Sequence, residues 1–201
     1  MKKTLITIAL TVLACLCVVG TTLAFLVDKT DSIKNTFTVG NVDITLTETG
    51  TDGNPTTAGN QYKMIPGETY SKDPKVTVLG GSEACWVFVK IDKSNNVDKF
   101  LEFAIDDSSW TQLTGNTNVY WKKVAASSDD QGFYVLKGNT VTISDEIDKE
   151  DLKDVVTGPI LTFTAYAVQQ DGFDTAATDA ENAALAWAEA IVQFPLDTTA
   201  P

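Results

Sequence analysis

The sequence predicts an all-β fold with a minor helical part, namely a jelly-roll β-sandwich that carries one helix in its C-terminal region. Apolar and polar residues alternate over many short stretches, as in strands with one buried face. Nearly every connection between these stretches contains Gly, Asn, Asp or Ser. Only the stretch after Thr178 has the clear spacing of a long amphipathic helix. Many short strands with one late helix are typical of a sandwich.

The chain begins with the three parts of a secretory signal peptide. Two lysines follow the first Met, residues 5–19 form an apolar run, and Thr22 and Ala24 supply the small residues that a signal peptidase requires. We therefore expect residues 1–24 to be removed by a cut between Ala24 and Phe25. The mature protein is then secreted, to the extracellular matrix or the cell surface, and is no longer attached to a membrane.

Two other fates of this N-terminal stretch stay open. The mostly apolar residues 5–27 are long enough to span a bilayer core of about 30 Å, so the stretch could serve as a membrane anchor. Lipidation at Cys15 or Cys17 is the weaker alternative, because the preceding residues resemble a lipobox only loosely. Cleavage is favoured because residues 20–22, Gly-Thr-Thr, interrupt the apolar run.

The composition excludes several classes of function. The formal net charge is −12, and it becomes −14 once the signal has removed two lysines and no acid. Such an anionic surface repels phosphate backbones, so nucleic-acid binding is not expected. Cys85 is the one cysteine left after cleavage. It lies in an apolar run and is expected to be a buried core thiol.

Strand character begins soon after the signal and continues along the chain. Val42, Ile44 and Leu46 alternate with polar residues, and residues 48–61 form a Gly- and Thr-rich stretch that predicts an exposed loop. Residues 84–91 are apolar on both parities and predict a central strand covered on both faces. The further strands are expected at 75–78, 100–105, 119–124, 133–136, 140–143 and 160–168.

Two segments have helical rather than strand character. Residues 144–154 predict a short acidic helix with Ile147 and Leu152 inward. The longer helix begins with a capping box, in which Thr178 is followed three residues later by Glu181. Its inward face is expected to consist of Ala184, Trp187, Ala188 and Ile191.

No catalytic or metal motif stands out. The chain contains no His, so neither a His-based nucleophilic triad nor an H-E-x-x-H zinc site is expected. Asp106-Asp107, Asp129-Asp130 and the acids of 145–154 could supply oxygen ligands to calcium, but none matches an EF-hand loop. We expect solvated acidic loops, no cofactor and no metal. The four Trp are expected to fill the core rather than to form a sugar-stacking surface.

Three segments of the chain resemble the TasA/camelysin family, which comprises secreted proteins of Gram-positive bacteria whose signals are cut by a SipW-type peptidase. The first segment is residues 20–48, with Ala24 before the aromatic Phe25 and VGNVDITL at 39–46. The second is residues 64–91, where a Pro-Gly turn precedes two strands. The third is residues 161–174, LTFTAYAVQQDGFD, together with the Ala-rich helix that follows.

This resemblance implies a jelly-roll domain over residues 41–201 that serves as a self-assembling subunit of extracellular biofilm-matrix fibres. Residues 25–40 would be a donor strand that fills a groove in the next subunit, head to tail. An accessory matrix protein is a further expected partner. The donor residues are Phe25, Leu26, Val27, Phe37 and Val39.

The apolar tip alone gives this contact little margin. Burying Phe25, Leu26 and Val27 would contribute on the order of 5 to 8 kcal/mol, whereas fixing three residues costs roughly 3 to 6 kcal/mol. A longer register with backbone pairing along a sheet edge is therefore required. Two other functions stay open: a camelysin-like secreted metallopeptidase, which the absence of His disfavours, and a surface-tethered adhesin or carbohydrate-binding module.

Overall fold

A computed structural model describes residues 41–94, 96–153 and 158–195. Within these ranges the chain is mostly β-sheet with three α-helices and one short 3-10 helix (Lys137–Asn139), which confirms the predicted all-β class with a minor helical part. The strands are β1 (Ile44–Thr49), β2 (Pro55–Thr56), β3 (Thr69–Ser71), β4 (Lys75–Val78), β5 (Cys85–Lys93), β6 (Leu101–Glu102), β7 (Thr111–Gln112), β8 (Val119–Val124), β9 (Gln131–Tyr134), β10 (Thr140–Ile143) and β11 (Leu161–Gln169). The helices are α1 (Val97–Phe100), α2 (Lys149–Lys153) and α3 (Asp179–Gln193).

The described strands form three antiparallel sheets. The first sheet has the order β2-β1-β4-β9, the second β3-β10-β6 and the third β11-β5-β8-β7. β5 is the longest inner strand of the third sheet. It pairs with β11 from Leu161↔Lys93 to Gln169↔Cys85, and with β8 on its other side.

β5 has no polar face over most of its length, as the sequence predicted. Cys85, Val87, Val89 and Ile91 pack towards the first sheet, against Val76 and Val78 of β4 and the inward residues of β1. The alternate residues Trp86 and Phe88 pack against α3. The third sheet is therefore covered on both faces, by a sheet on one side and a helix on the other.

Helix α3 begins with the predicted capping box. The Thr178 hydroxyl accepts a hydrogen bond from the Glu181 backbone N–H, and the Glu181 carboxylate accepts one from the Thr178 N–H. The prediction of the buried face was only partly right, because Ala188 is exposed. The residues that pack against the third sheet are Ala183, Ala186, Trp187 and Ala190. In a helix this rich in alanine, the hydrophobic period does not distinguish one alanine from its neighbour.

Two predicted strands differ from those observed. The stretch 100–105 is divided, because Leu101 and Glu102 pair with β10 whereas Ile105 bridges to Leu136. The strand expected at 133–136 is shifted to Gln131–Tyr134, where it pairs with β4.

The structure also bears on one predicted loop and one predicted helix. The predicted loop 48–61 includes the end of β1 and the short strand β2, which pairs with it. The acidic helix is confirmed at Lys149–Lys153, with Ile147 buried and Leu152 packed against the same apolar cluster.

Cys85 is fully buried and free, as expected, and burial raises the pKa of its thiol to about 11. Among the residues that the structure describes, no helix is long and apolar enough to cross a membrane.

Replacing Thr178 with Ala is expected to lower the free energy of unfolding by about 1 kcal/mol, since the first turn of α3 loses its cap. Urea unfolding followed by circular dichroism measures this. The matched control is Thr175→Ala, an exposed threonine of the same loop, which should leave the midpoint unchanged. Equal effects in the two variants would contradict a role for the cap.

Cys85 is expected to make stability fall in alkali. Because the folded thiol has a pKa of about 11, the unfolded chain ionises first as the pH rises above about 8.5. The stability that depends on the protonated Cys85 thiol is therefore fully present below about pH 8.5 and is lost progressively towards pH 11. Compared with Cys85→Ala, the wild-type protein should lose about 2 to 3 kcal/mol more between pH 8 and 11. Parallel pH profiles of the two proteins would contradict the burial effect.

Candidate functional site

The residues expected to form the donor side of an assembly contact lie outside the described part of the chain. These donor residues are Phe25, Leu26, Val27, Phe37 and Val39. The expected signal cleavage site, between Ala24 and Phe25, also lies outside the described residues. What the structure describes is the surface that could receive such a segment.

The outer edge of β11 has no strand partner among the described residues. β11 pairs with β5 along all nine of its residues and stands at the end of its sheet. About half of the backbone N–H and C=O groups of an antiparallel strand point to each edge. Within the described ranges, the groups that point to this outer edge are therefore not paired with a strand, and an edge of this kind templates the addition of a further strand.

The apolar side chains of β11 are less buried than those of the neighbouring strand β5. β11 reads LTFTAYAVQ, yet none of its apolar side chains is fully buried, whereas the side chains of β5 beside it are buried from Cys85 to Ile91. Leu161, Phe163, Ala165 and Ala167 point towards the core between the first and third sheets. An inward row of half-buried apolar side chains thus lies beside an open backbone edge.

A groove borders this edge where β1 and β11 lie side by side. It consists of two adjoining cavities of about 490 Å³ and 320 Å³, which share Asn60, Lys72, Ile160 and Leu161. We call it the β1–β11 groove. Its apolar lining residues are Leu46, Met64, Leu101, Val141, Ile143, Ile160, Leu161 and Phe163.

The floor of the groove holds a buried ion pair. The Lys72 Nζ atom lies 2.6 Å from Glu48 Oε2, and the two side chains are only 10% and 8% exposed. The same ammonium lies 5.4 Å from the centre of the Phe163 ring and 6.0 Å from that of Tyr62. The pair lies at the end of the apolar core, because Glu48 is the next residue after Ile44 and Leu46 in the inward row of β1.

One atom of this pair lacks a hydrogen-bond partner. Glu48 Oε1 is buried, and no described group donates to it. Tyr62 lies near the Glu48 carboxylate. Burial raises the pKa of Tyr62 above its usual value, and the negative charge of Glu48 raises it further. The groove therefore combines apolar and polar lining residues, and it contains one buried acceptor that has no partner among the described residues.

The acidic stretches considered for calcium make hydrogen bonds and ion pairs with other described residues. Asp106 accepts hydrogen bonds from the N–H and hydroxyl of Ser108, and Asp130 accepts one from the Gly80 N–H. Asp151 pairs with Lys99. Within the described ranges, no group of three or more Cys, Asp or Glu side chains could hold a metal ion.

The tryptophans are engaged in packing. Trp86, Trp110 and Trp187 are buried, and Trp121 is half-buried with its ring edge-on to that of Trp86. This agrees with the prediction that these residues fill the core.

The sequence reasoning did not identify the Glu48–Lys72 pair or the groove. One signal was present: Glu48 is in phase with Ile44 and Leu46, so a carboxylate occupies an inward position of an alternating strand. Its partner lies 24 residues further along the chain, and only the folded structure brings the two together.

Replacing Lys72 with Met is expected to lower the free energy of unfolding by about 3 to 5 kcal/mol, because Glu48 is left buried and unpaired. The double variant Lys72→Met with Glu48→Met should recover most of this loss, since an apolar pair needs no desolvation. Urea unfolding measures both.

The matched control for this prediction is Lys153→Met. The Lys153 side chain is 66% exposed and that of its ion-pair partner Glu150 is 77% exposed. Loss of this surface pair should lower the free energy of unfolding by less than about 1 kcal/mol. If Lys72→Met costs no more than this control, the Glu48–Lys72 pair is not buried in solution.

No protein-family model matches the chain, and searches of curated proteins and of solved structures each returned no match. Membership of the TasA/camelysin family stays a prediction from the quoted segments.

Proposed function

We propose that this protein is a secreted structural subunit of extracellular biofilm-matrix fibres, in which residues 25–40 of one copy enter the β1–β11 groove of the next. The observation that carries the proposal is the open edge of β11, a nine-residue strand whose apolar side chains are only half-buried. The chain also contains a segment suited to this edge, because residues 25–40 are apolar at both ends.

Strand addition supplies both affinity and selectivity at such an edge. Main-chain hydrogen bonds to β11 would provide much of the affinity, and alternate side chains of the entering segment would fill the groove. Phe37 and Val39 share one parity and would lie on one face of the added strand. The half-buried Ala165 and Ala167 leave room beside them because their own side chains are small.

The same proposal accounts for the sheet architecture as a jelly roll. The first and third sheets have four strands each, which is the number of strands per layer in a jelly roll of eight. The added strand would extend the third sheet by a fifth strand beside β11, and the second, smaller sheet would lie outside the two main layers.

A contact between the N-terminal segment of one copy and the groove of another joins two different surfaces. Such a contact does not close on itself, so it propagates into a filament. A subunit with a formal charge of −14 after signal removal repels its neighbours, and salt screens that repulsion. Assembly should therefore be faster at 0.5 M than at 0.02 M sodium chloride.

The first experiment compares the protein that begins at Phe25 with a version that lacks residues 25–38, by negative-stain electron microscopy and sedimentation. The proposal predicts filaments from the first protein and monomers from the second. Filaments from both would rule out the donor role. Monomers from both would favour dependence on an accessory protein or one of the alternative functions, a metallopeptidase or an adhesin.

A second experiment blocks the groove without shortening the chain. Replacing Ile160, a groove residue that is 39% exposed, with Glu is expected to reduce the sedimented filament mass at least about tenfold, because a charge is then buried on contact. The matched control is Val192→Glu on the exposed face of α3, which adds the same charge at a side chain that is 72% exposed. Equal losses in both variants would indicate a general charge effect and contradict the groove.

A further inference from the structure

We propose that Glu48 sets the register of the entering segment, with its Oε1 atom accepting a hydrogen bond from the side-chain amide of Asn35 of a second copy. This inference rests on the proposed function and specifies the chemistry of its contact. It makes the Glu48–Lys72 pair the charged part of the groove lining, beside the apolar residues Leu46 and Phe163.

The unsatisfied oxygen is the first observation. The Glu48 side chain is only 8% exposed, it lines the groove, and Oε1 has no partner among the described residues. A buried acceptor without a donor is destabilising, and more so when it is charged. An occupant that brings a donor to this atom removes that cost, whereas an apolar occupant at the same level does not.

The chemistry of the donor follows from the charges around Glu48. Lys72 already neutralises the carboxylate at 2.6 Å, so a second ammonium would leave a net positive charge in a buried place. A carboxylate on the occupant would repel Glu48. The fitting group is therefore neutral and carries an N–H or an O–H.

The alternation of the entering segment identifies Asn35. Successive side chains of a strand point to opposite faces, so Phe37 and Val39 share a face with Asn35. Phe25 and Val27 have the same parity, but the residue that follows them on this face is the cation Lys29. Of Lys29 and Asn35, only Asn35 brings a neutral N–H donor.

A register that places Asn35 beside Glu48 also places the apolar residues of the segment beside apolar residues of β1. If the segment runs opposite to β1, Phe37 lies at the level of Leu46 and Val39 at the level of Ile44. β2 covers the edge of β1 at Glu48, so the backbone partner at this level is β11. A shift by two residues in one direction would bring Phe37 to the carboxylate, and a shift in the other direction would bring Ile33 to it and Asn35 to Leu46.

The described residues before β1 indicate that the occupant comes from another copy. The carbonyls of Asn41 and Asp43 accept hydrogen bonds from the N–H groups of Glu83 and Leu79, so residues 41–43 continue past Ile44, away from Glu48. Three extended residues cover about 10 Å. Residue 40 alone is too short a link to bring Val39 of the same chain back to the level of Ile44.

The test uses the protein that begins at Phe25 and measures the critical concentration for filament formation. Asn35→Asp should raise it at least about tenfold, because two carboxylates then meet. The matched control is Thr36→Asp, which adds the same charge on the opposite face and should change it less than about threefold. Glu48→Gln combined with Asn35→Asp should restore most of the loss, since the Gln amide donates to Asp. Equal effects of the two Asp variants, or no rescue, would overturn the inference.

A peptide measurement separates this inference from the fibre proposal. A fluorescent peptide of residues 25–40 is titrated with the same protein, alongside peptides that carry the Asn35→Asp or the Thr36→Asp change. Tenfold weaker binding of the Asn35→Asp peptide alone supports the register, even if the wild-type protein forms no filaments and the fibre proposal fails. If no peptide binds, or if all bind equally, the contact with Glu48 is wrong.

Discussion

The fold depends on the burial of both faces of β5. A strand whose side chains are buried from Cys85 to Ile91 has no side that tolerates water, so it must be covered twice. The first sheet covers one face, and α3 covers the other with small alanines and Trp187. β8 and β11 occupy its two edges. Because these elements are arranged around one strand, β11 lies at the end of the third sheet, and its outer edge has no strand partner in the part of the chain that the structure describes.

The sequence predicted those elements whose signals are local. The bounds of β4, β8 and β10 agree with the predicted 75–78, 119–124 and 140–143, because alternation and turn residues define both ends of each. The capping box of α3 is likewise a short-range feature. The predictions were wrong where the outcome depends on distant partners. The stretch 100–105 is divided because two separate segments pair with its two ends, and nothing within the stretch reveals this.

The groove was beyond sequence reasoning for a similar reason. It forms where β1 and β11, more than a hundred residues apart in the chain, lie side by side. The resemblance to a fibre-forming family suggested that an acceptor exists but named no acceptor residue. Glu48 and Lys72 are separated by a turn-rich stretch that contains β2, so their pairing follows from the packing of three elements. A charged residue in an inward position of a strand was the only local sign.

The full-length pairing of β11 with β5 has a mechanical consequence. A filament joined by strand addition along β11 would be pulled nearly parallel to that strand. All the hydrogen bonds between β11 and β5, from Leu161↔Lys93 to Gln169↔Cys85, would then carry the load together and not break one after another. Such a joint resists tension until the whole ladder slips at once. The tensile strength of the material would depend on the length of one strand pair rather than on the number of contacts in the subunit.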